Sequence, residues 1–250
     1  MLYESQRLLG EYLLLHYGNG RHLPHAALTV SNMLTETPFP VRCVNELLDV
    51  SMLPNDATAL ELGCSVGASS FELCRTCSRV EASDYSNSFI TAARMLQKEG
   101  RLETDLVVEG LIREPFVAEV PAGIDRERVN FSVADATDLP STLGNFDVVL
   151  AANLICRLAD PDKFLTRTAS LVKPGGQLLL TTPFTWLEDF TPLNRWIGGF
   201  DQLHRSEEEL KCRLAGEFQL HRRRDLPFLI REHERKYQLG IALGTSWIRK

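Results

Sequence analysis

The sequence predicts an α/β fold: a mostly parallel seven-stranded sheet with helices on both faces, an antiparallel edge and an N-terminal helical extension. Three observations carry this reading. Short buried apolar runs alternate with helical patterns between residues 58 and 182. Acidic residues (Glu61, Asp84 and Asp135) stand at the ends of successive runs. Two final apolar runs, "EFQLHRR" and "YQLGIAL", follow each other with no clear helix between them, as an antiparallel pair would.

Residues 3–17 place Leu8, Leu9, Tyr12, Leu13 and His16 at helical spacing, and Gly18 can end that helix. A loop rich in Gly, His, Pro and Thr leads to "TPFPVRCV", and a short helix is expected over Val41–Val50. "ATALEL" reads as strand one, followed by a glycine turn and a helix through Cys77. "RVEAS" is strand two, ending at Asp84; Ser86 caps a helix to Lys98, with Gly100 as its stop. Residues 101–128 break the rhythm and read as an insertion with a hairpin around "DLVVEGLI". "VNFSV" is strand three, ending at Asp135, and "FDVVLAA" is strand four. Asp160 then Pro161 starts a helix that closes at "KPGG", and "QLLLTT" is strand five. Ser206 with Glu209 reads as a capping box for a further helix.

With no linker, repeat or low-complexity tract, the chain reads as one domain over 1–250. Residues 1–57 form a helical extension or lid, 58–182 a cofactor-binding core, and 183–250 the acceptor-side segments and late strands.

The totals bound the function. The 250 residues are 44% apolar and 24% charged, with net charge −6 and pI about 5.6. That balance suits a soluble globular domain and argues against nucleic acid as the main partner. The one basic cluster, His221 to Asp225, reads as a solvated strand edge. No apolar run approaches the ~20 residues that span a bilayer, and the N-terminus lacks the pattern of a signal peptide. The six cysteines lie in apolar contexts and read as buried reduced thiols in a cytoplasmic setting. Cys74 and Cys77 lack a second pair, and His22 with His25 is too sparse, so no metal is expected.

Gly63 and Gly67 lie just past strand one, where an open α/β sheet holds its ligands. Position 65, where a middle glycine would complete a dinucleotide fingerprint, is Ser65, and the turn opens with Glu61. A pyrophosphate site would use the full glycine pattern. A carboxylate there fits a ligand with a positive group, such as the amino group of S-adenosylmethionine. Asp84 is placed to take two ribose hydroxyls, and Asp135 to accept from an adenine amino group.

"LELGCSVG", "ASDYS", "VADATDLP", "FDVVLAANLI" and "LVKPGGQLLL" together resemble the class I S-adenosylmethionine-dependent methyltransferases, a Rossmann-like family. The resemblance implies S-adenosyl-L-methionine as cofactor, held by Glu61, Gly63, Cys64, Gly67, Asp84, Tyr85, Ser86, Asp135, Ala136 and Asn153. Ser65 departs from the usual motif. Tyr17 and Arg42, in the extension, are expected to close over the methionine end.

A narrower resemblance covers nearly the whole chain. "YESQRLLGEYLLLHYG", "FPVRCV", "SSFELC", "AANLICRLADP", "PFTWLEDFTP" and "LPFLIREHERKYQLG" are similar to the C-terminal methyltransferase domain of ovothiol synthases. That implies methylation of the imidazole ring of 5-thiohistidine, or of 5-selenohistidine in a stand-alone enzyme. The sulfoxide-synthase portion is lacking, so the chain is expected to be a stand-alone homologue or an excised domain. A separate sulfoxide synthase is the partner this implies.

Methyl transfer to a ring nitrogen needs its lone pair. With an imidazole pKa of ~6.5 the free ring is largely neutral near pH 7, so orientation and choice of tautomer matter more than a strong base. Asn153, Glu232 and His233 are the catalytic candidates, and Phe184, Thr185, Trp186, Arg231 and His233 the substrate-binding ones. Alternation along an extended chain puts Arg231 and His233 on one side and Glu232 on the other. Two rival readings are a nicotinamide-dependent oxidoreductase and a non-catalytic cofactor-binding module.

Overall fold

The computed structural model describes residues 4–18 and 37–250. His22 and His25 lie outside the described residues. Among the described residues there are nine strands: β1 Thr58–Leu62, β2 Arg79–Asp84, β3 Arg101–Glu109, β4 Ile112–Glu119, β5 Val129–Val133, β6 Phe146–Ala152, β7 Val172–Thr182, β8 Phe218–His233 and β9 Lys236–Arg249. Seven form one sheet in the order β5-β2-β1-β6-β7-β9-β8, and β3 pairs with β4 in a separate hairpin. The strands from β5 to β7 are all parallel. The hairpin is the insertion read around "DLVVEGLI".

The antiparallel strand is not the edge. β9 runs antiparallel between β7 and β8, so the outermost strand, β8, points the same way as the core strands. The chain winds outward from β1 through β2 to β5, then restarts at β6 on the other side of β1. That reversal opens a crevice at the carboxyl ends of β1 and β6.

Period-two alternation divides the core. Val148, Leu150 and Leu179 face one layer; Val149, Ala151, Leu178 and Leu180 face the other. Helices α1 (Gln6–Tyr17), α2 (Phe39–Leu47), α3 (Ala68–Leu73) and α4 (Asn87–Glu99) cover the first layer. Helices α5 (Pro161–Leu171) and α6 (Ser206–Leu214) cover the second. Leu13 and Leu14 of α1 are 0% and 1% exposed, each stabilising by roughly 1.5–3 kcal/mol. Helices α1 and α2 of the N-terminal extension therefore pack into the core wall.

Several local expectations shift. α2 starts at Phe39, two residues early, because Pro40 suits the first turn of a helix. α3 stops at Leu73, not Cys77. Ser206 is not a cap: α6 is capped at Arg205 without a side-chain bond, and the Ser206 hydroxyl accepts the Trp186 indole N–H at 3.0 Å. Cys212, unlike the other five thiols, is exposed. The cluster at 221–225 lies on β8, where Arg222 pairs with Asp49 at 2.7 Å and Arg223 with Glu207 at 3.0 Å. No described helix is long and apolar enough to cross a membrane.

Candidate cofactor and acceptor site

Past Leu62 the backbone turns through left-handed conformations at Gly63 (φ 75°), Ser65 (φ 50°) and Gly67 (φ 88°). The amides of Gly63 and Cys64 donate to the Ser83 carbonyl at 2.8 and 3.0 Å, which ties the turn to β2. A Cβ on Gly67 would come within 2.7 Å of the Phe131 ring, so this position needs glycine. Cys64 is buried, and burial pushes its thiol well above the usual range.

Glu61 is buried, its two carboxylate oxygens accepting from Ser69 Oγ and Ser70 Oγ at 2.5 Å each. Burial raises its pKa to about 7 against the pull of the two serines, and the nearby Asp84 charge adds to the rise. The acid thus clamps β1 to the first turn of α3. Helix α1 holds the same turn from the other side. Tyr17 Oη donates to the Val66 carbonyl at 2.7 Å, and His16 Nδ1 accepts the Ala68 N–H at 3.3 Å. Burial pushes His16 down to about 3, so the ring is neutral. At its other end Glu4 accepts from the amides of Asn87 and Ser88, at the start of α4.

Asp84 ends β2. Its oxygens accept from the amides of Ser65 at 2.9 Å and Ser86 at 2.8 Å. Burial raises its pKa, and these backbone donors oppose the rise. Ser86 Oγ caps α4 through the Phe89 amide at 3.2 Å, and the Tyr85 side chain is 61% exposed. Asp135 lies two residues beyond β5, is exposed, and holds the Thr137 amide and hydroxyl at 2.7 Å each. Its loop is tied to β2 through the Ala134 amide on the Asp84 carbonyl, and Ala136 is half-buried beside it.

Asn153 follows β6 with φ 52°. Its amide N–H donates to both the carbonyl and the hydroxyl of Thr181, at 2.8 and 3.0 Å. Because Thr181 Oγ1 accepts that bond, its own proton goes to Asn153 Oδ1 at 3.0 Å. This fixes the side-chain amide with its NH2 turned away from Thr181. Phe184 follows β7 with φ 50°, its amide on Thr182 Oγ1. Ser65, Asn153 and Phe184 are the three left-handed non-glycine residues among the described residues. They stand past the carboxyl ends of β1, β6 and β7, each costing about 1–3 kcal/mol. Strain gathered at one edge marks that edge as the working one.

Residues 60–180 match the model of the family described as a methyltransferase domain. Over that span, just under half of its length, the chain carries a class I S-adenosylmethionine-dependent methyltransferase domain. A ubiquinone biosynthesis O-methyltransferase of Xanthomonas axonopodis pv. citri (strain 306) is 27% identical over 143 residues, 57% of this chain and 49% of the relative. The chain spans about half the length of the curated relatives it matches. Among solved structures, a putative methyltransferase from Bacillus halodurans C-125 shares the fold with TM-score 0.55 and 13% identity, over 84% of this chain and 98% of that one. Magnesium protoporphyrin IX methyltransferase from Synechocystis PCC 6803, solved with bound S-adenosylmethionine, gives TM-score 0.51 and 16% identity over 84% of this chain and 76% of that one.

The residues of the methyltransferase turn fit this cofactor. Asp84 keeps lone pairs beyond its backbone bonds, and the buried Ser65 hydroxyl has no hydrogen-bond partner. A buried polar group without a partner costs about 1–3 kcal/mol, which a polar ligand group offsets. Among the described residues no group of three His, Cys, Asp or Glu is placed to hold a metal ion.

On the acceptor side of the methyltransferase several expectations change. The segment holding "IREHE" is not a loop returning to the sheet edge; it is the tip of the continuous β8–β9 hairpin. The pairing shifts between Arg231 and His233, so strict alternation fails there. Arg231 and Glu232 are both buried and line one small pocket with Arg7, Gly10, Glu11 and Asp105. His233 instead accepts the Arg235 amide in the turn.

Arg231 pairs with Glu114 at 2.7 Å. Glu232 accepts from Arg7, Lys236 and Gln238. Bonds from Lys236 and Gln238 hold its carboxyl below the ordinary value, so it stays ionised and is a fixed acceptor, not a base poised near neutrality. Trp186 is 8% exposed, bonded to Ser206 and stacked on Trp196 at 6.3 Å, so its ring is in the core and does not front the crevice. Thr185 is exposed, its carbonyl accepting from Arg157 at 2.9 Å. Arg42 is bound to Glu46 at 2.8 Å and to the Pro227 carbonyl at 2.9 Å, which docks α2 on β8.

The residues that sequence reasoning missed are His16, Ser69, Ser70 and Thr181. Only the serine pair left a trace, as hydroxyls one turn past the glycines. His16 reads simply as a member of an apolar stripe.

Proposed function

We propose that the chain methylates a small amino-acid substrate on an imidazole ring nitrogen, with 5-thiohistidine or its selenium analogue as the acceptor. The observation that carries this is the fixed donor of Asn153. Its NH2, oriented by Thr181, stands at the carboxyl end of β6 beside the glycine turn, where it can bind an anionic thiolate, selenolate or carboxylate. The sequence similarity to the methyltransferase domain of ovothiol synthases supports the same acceptor.

When bound, S-adenosylmethionine supplies a methyl group activated on a sulfonium. Tyr17, Asp84 and the glycine turn hold it. The ring nitrogen lone pair forms the new C–N bond as the C–S bond breaks, and the proton on the other ring nitrogen is then lost to water. On this reading Arg231 and Glu232 organise the acceptor-side arm, a separate sulfoxide synthase supplies the substrate, and the setting is cytoplasmic.

The relatives named as O-methyltransferases favour a second reading, transfer to an oxygen of a small molecule. Incubation with S-adenosylmethionine and a panel of histidine, 5-thiohistidine, 5-selenohistidine and small phenols, read by mass spectrometry, separates the two. A ring-methylated histidine product is expected. Methylated phenol without it overturns the proposal.

A further inference from the structure

Ser65 stands where a methyl-donor turn of this kind ordinarily has glycine. Its backbone is left-handed at φ 50°, a conformation glycine adopts freely and serine does not. The residue is 6% exposed, and its buried hydroxyl has no hydrogen-bond partner. Both features penalise serine in the ligand-free chain, and replacement by glycine removes both. The residue therefore contributes nothing to the free fold that glycine would not improve. Its amide, meanwhile, is bonded to Asp84 Oδ2 at 2.9 Å, so the hydroxyl rides on the same turn as the acid that ends β2. The lone pairs left on that carboxylate suit ribose hydroxyls.

We propose that the Ser65 hydroxyl is a direct ligand of the bound methyl donor and contacts its nucleoside portion. The missing partner of the hydroxyl is supplied by the ligand, and the strain at residue 65 is the cost of placing it. The proposal rests on the cofactor assignment.

The test uses Ser65→Gly and Ser65→Ala in the full chain. Thermal melting is measured without ligand, and affinity for S-adenosylhomocysteine and for 5′-methylthioadenosine by calorimetry. Ser65→Gly is expected to melt higher than the unaltered chain, yet to bind both ligands roughly fivefold to tenfold more weakly. Ser65→Ala keeps the left-handed strain, so it loses affinity similarly with a smaller gain in melting temperature. Unchanged affinity of Ser65→Gly for both ligands overturns the proposal. So does a loss confined to S-adenosylhomocysteine, which would put the hydroxyl at the amino-acid end. Failure of the unaltered chain to bind S-adenosylhomocysteine is a different result: it removes the cofactor assignment and this proposal with it.

Discussion

Asp84 and Asn153 show how a single residue gains a role from its place on a strand. Each sits at a carboxyl end, and each is fixed by neighbours before any ligand arrives. Asp84→Ala removes an acceptor of two backbone bonds and the expected ribose contact. Calorimetry should show S-adenosylhomocysteine binding at least tenfold more weakly, about 1.5–3 kcal/mol for a charge-assisted bond. An unchanged affinity would remove Asp84 from the cofactor site.

Thr181→Val frees the Asn153 amide to rotate. Acceptor turnover should fall about fivefold, with Thr181→Ser restoring most of it, since one oriented hydrogen bond is worth ~1 kcal/mol. Equal rates for the Val and Ser variants would show that the hydroxyl orients nothing. Asp84 and Asn153 were legible in the sequence because strand period places them. Thr181 was not: it acts on Asn153 from 28 positions away, and only the parallel pairing of β6 with β7 brings the two together.

At the scale of elements, α1 is the one whose role changed most. The apolar stripe announced a helix, but not that its last turn grips the glycine turn or that Glu4 reaches α4. Removing residues 1–20 takes away two fully buried leucines and the bonds of His16 and Tyr17, on the order of 5 kcal/mol in all. For a chain of this length that lowers the melting temperature by roughly 10–20 °C. A truncated chain that melts normally would return α1 to the status of a lid. The tip of β8 was misread for a related reason: strand alternation gave a facing for Arg231, Glu232 and His233, and the bulge that cancels it depends on pairing with β9.

Across the whole molecule, the βαβ rhythm revealed the five parallel strands and the crevice. The position of the antiparallel strand escaped, because it is decided by hydrogen bonds from β9 to β7 and not by pattern within β9. Two buried titratable groups give the molecule a stability optimum. Folding raises the Glu61 carboxyl from 4.5 to about 7, so its contribution is full below about pH 4.5 and is lost as pH rises through 7, roughly 3 kcal/mol. Folding lowers His16 from 6.5 to about 3, so its contribution is full above 6.5 and is lost as pH falls towards 3. Ligand-free melting should therefore peak between about pH 5 and 6. Glu61→Gln should flatten the alkaline limb alone, and His16→Asn the acid limb alone. A profile that ignores both substitutions would mean the two groups are hydrated in solution.

The charged residues of β8 have a consequence for how the protein behaves in a crowd. A β-sheet is a polymer that can keep growing, since its outer strand offers unpaired amides and carbonyls to any extended chain. Here the border strand carries Arg222 and Arg223, each paired with an acid from the same molecule, and Pro227, which has no amide to offer. A second chain approaching that border would have to break those pairs before it could dock. These side chains guard that border against a further strand adding to it.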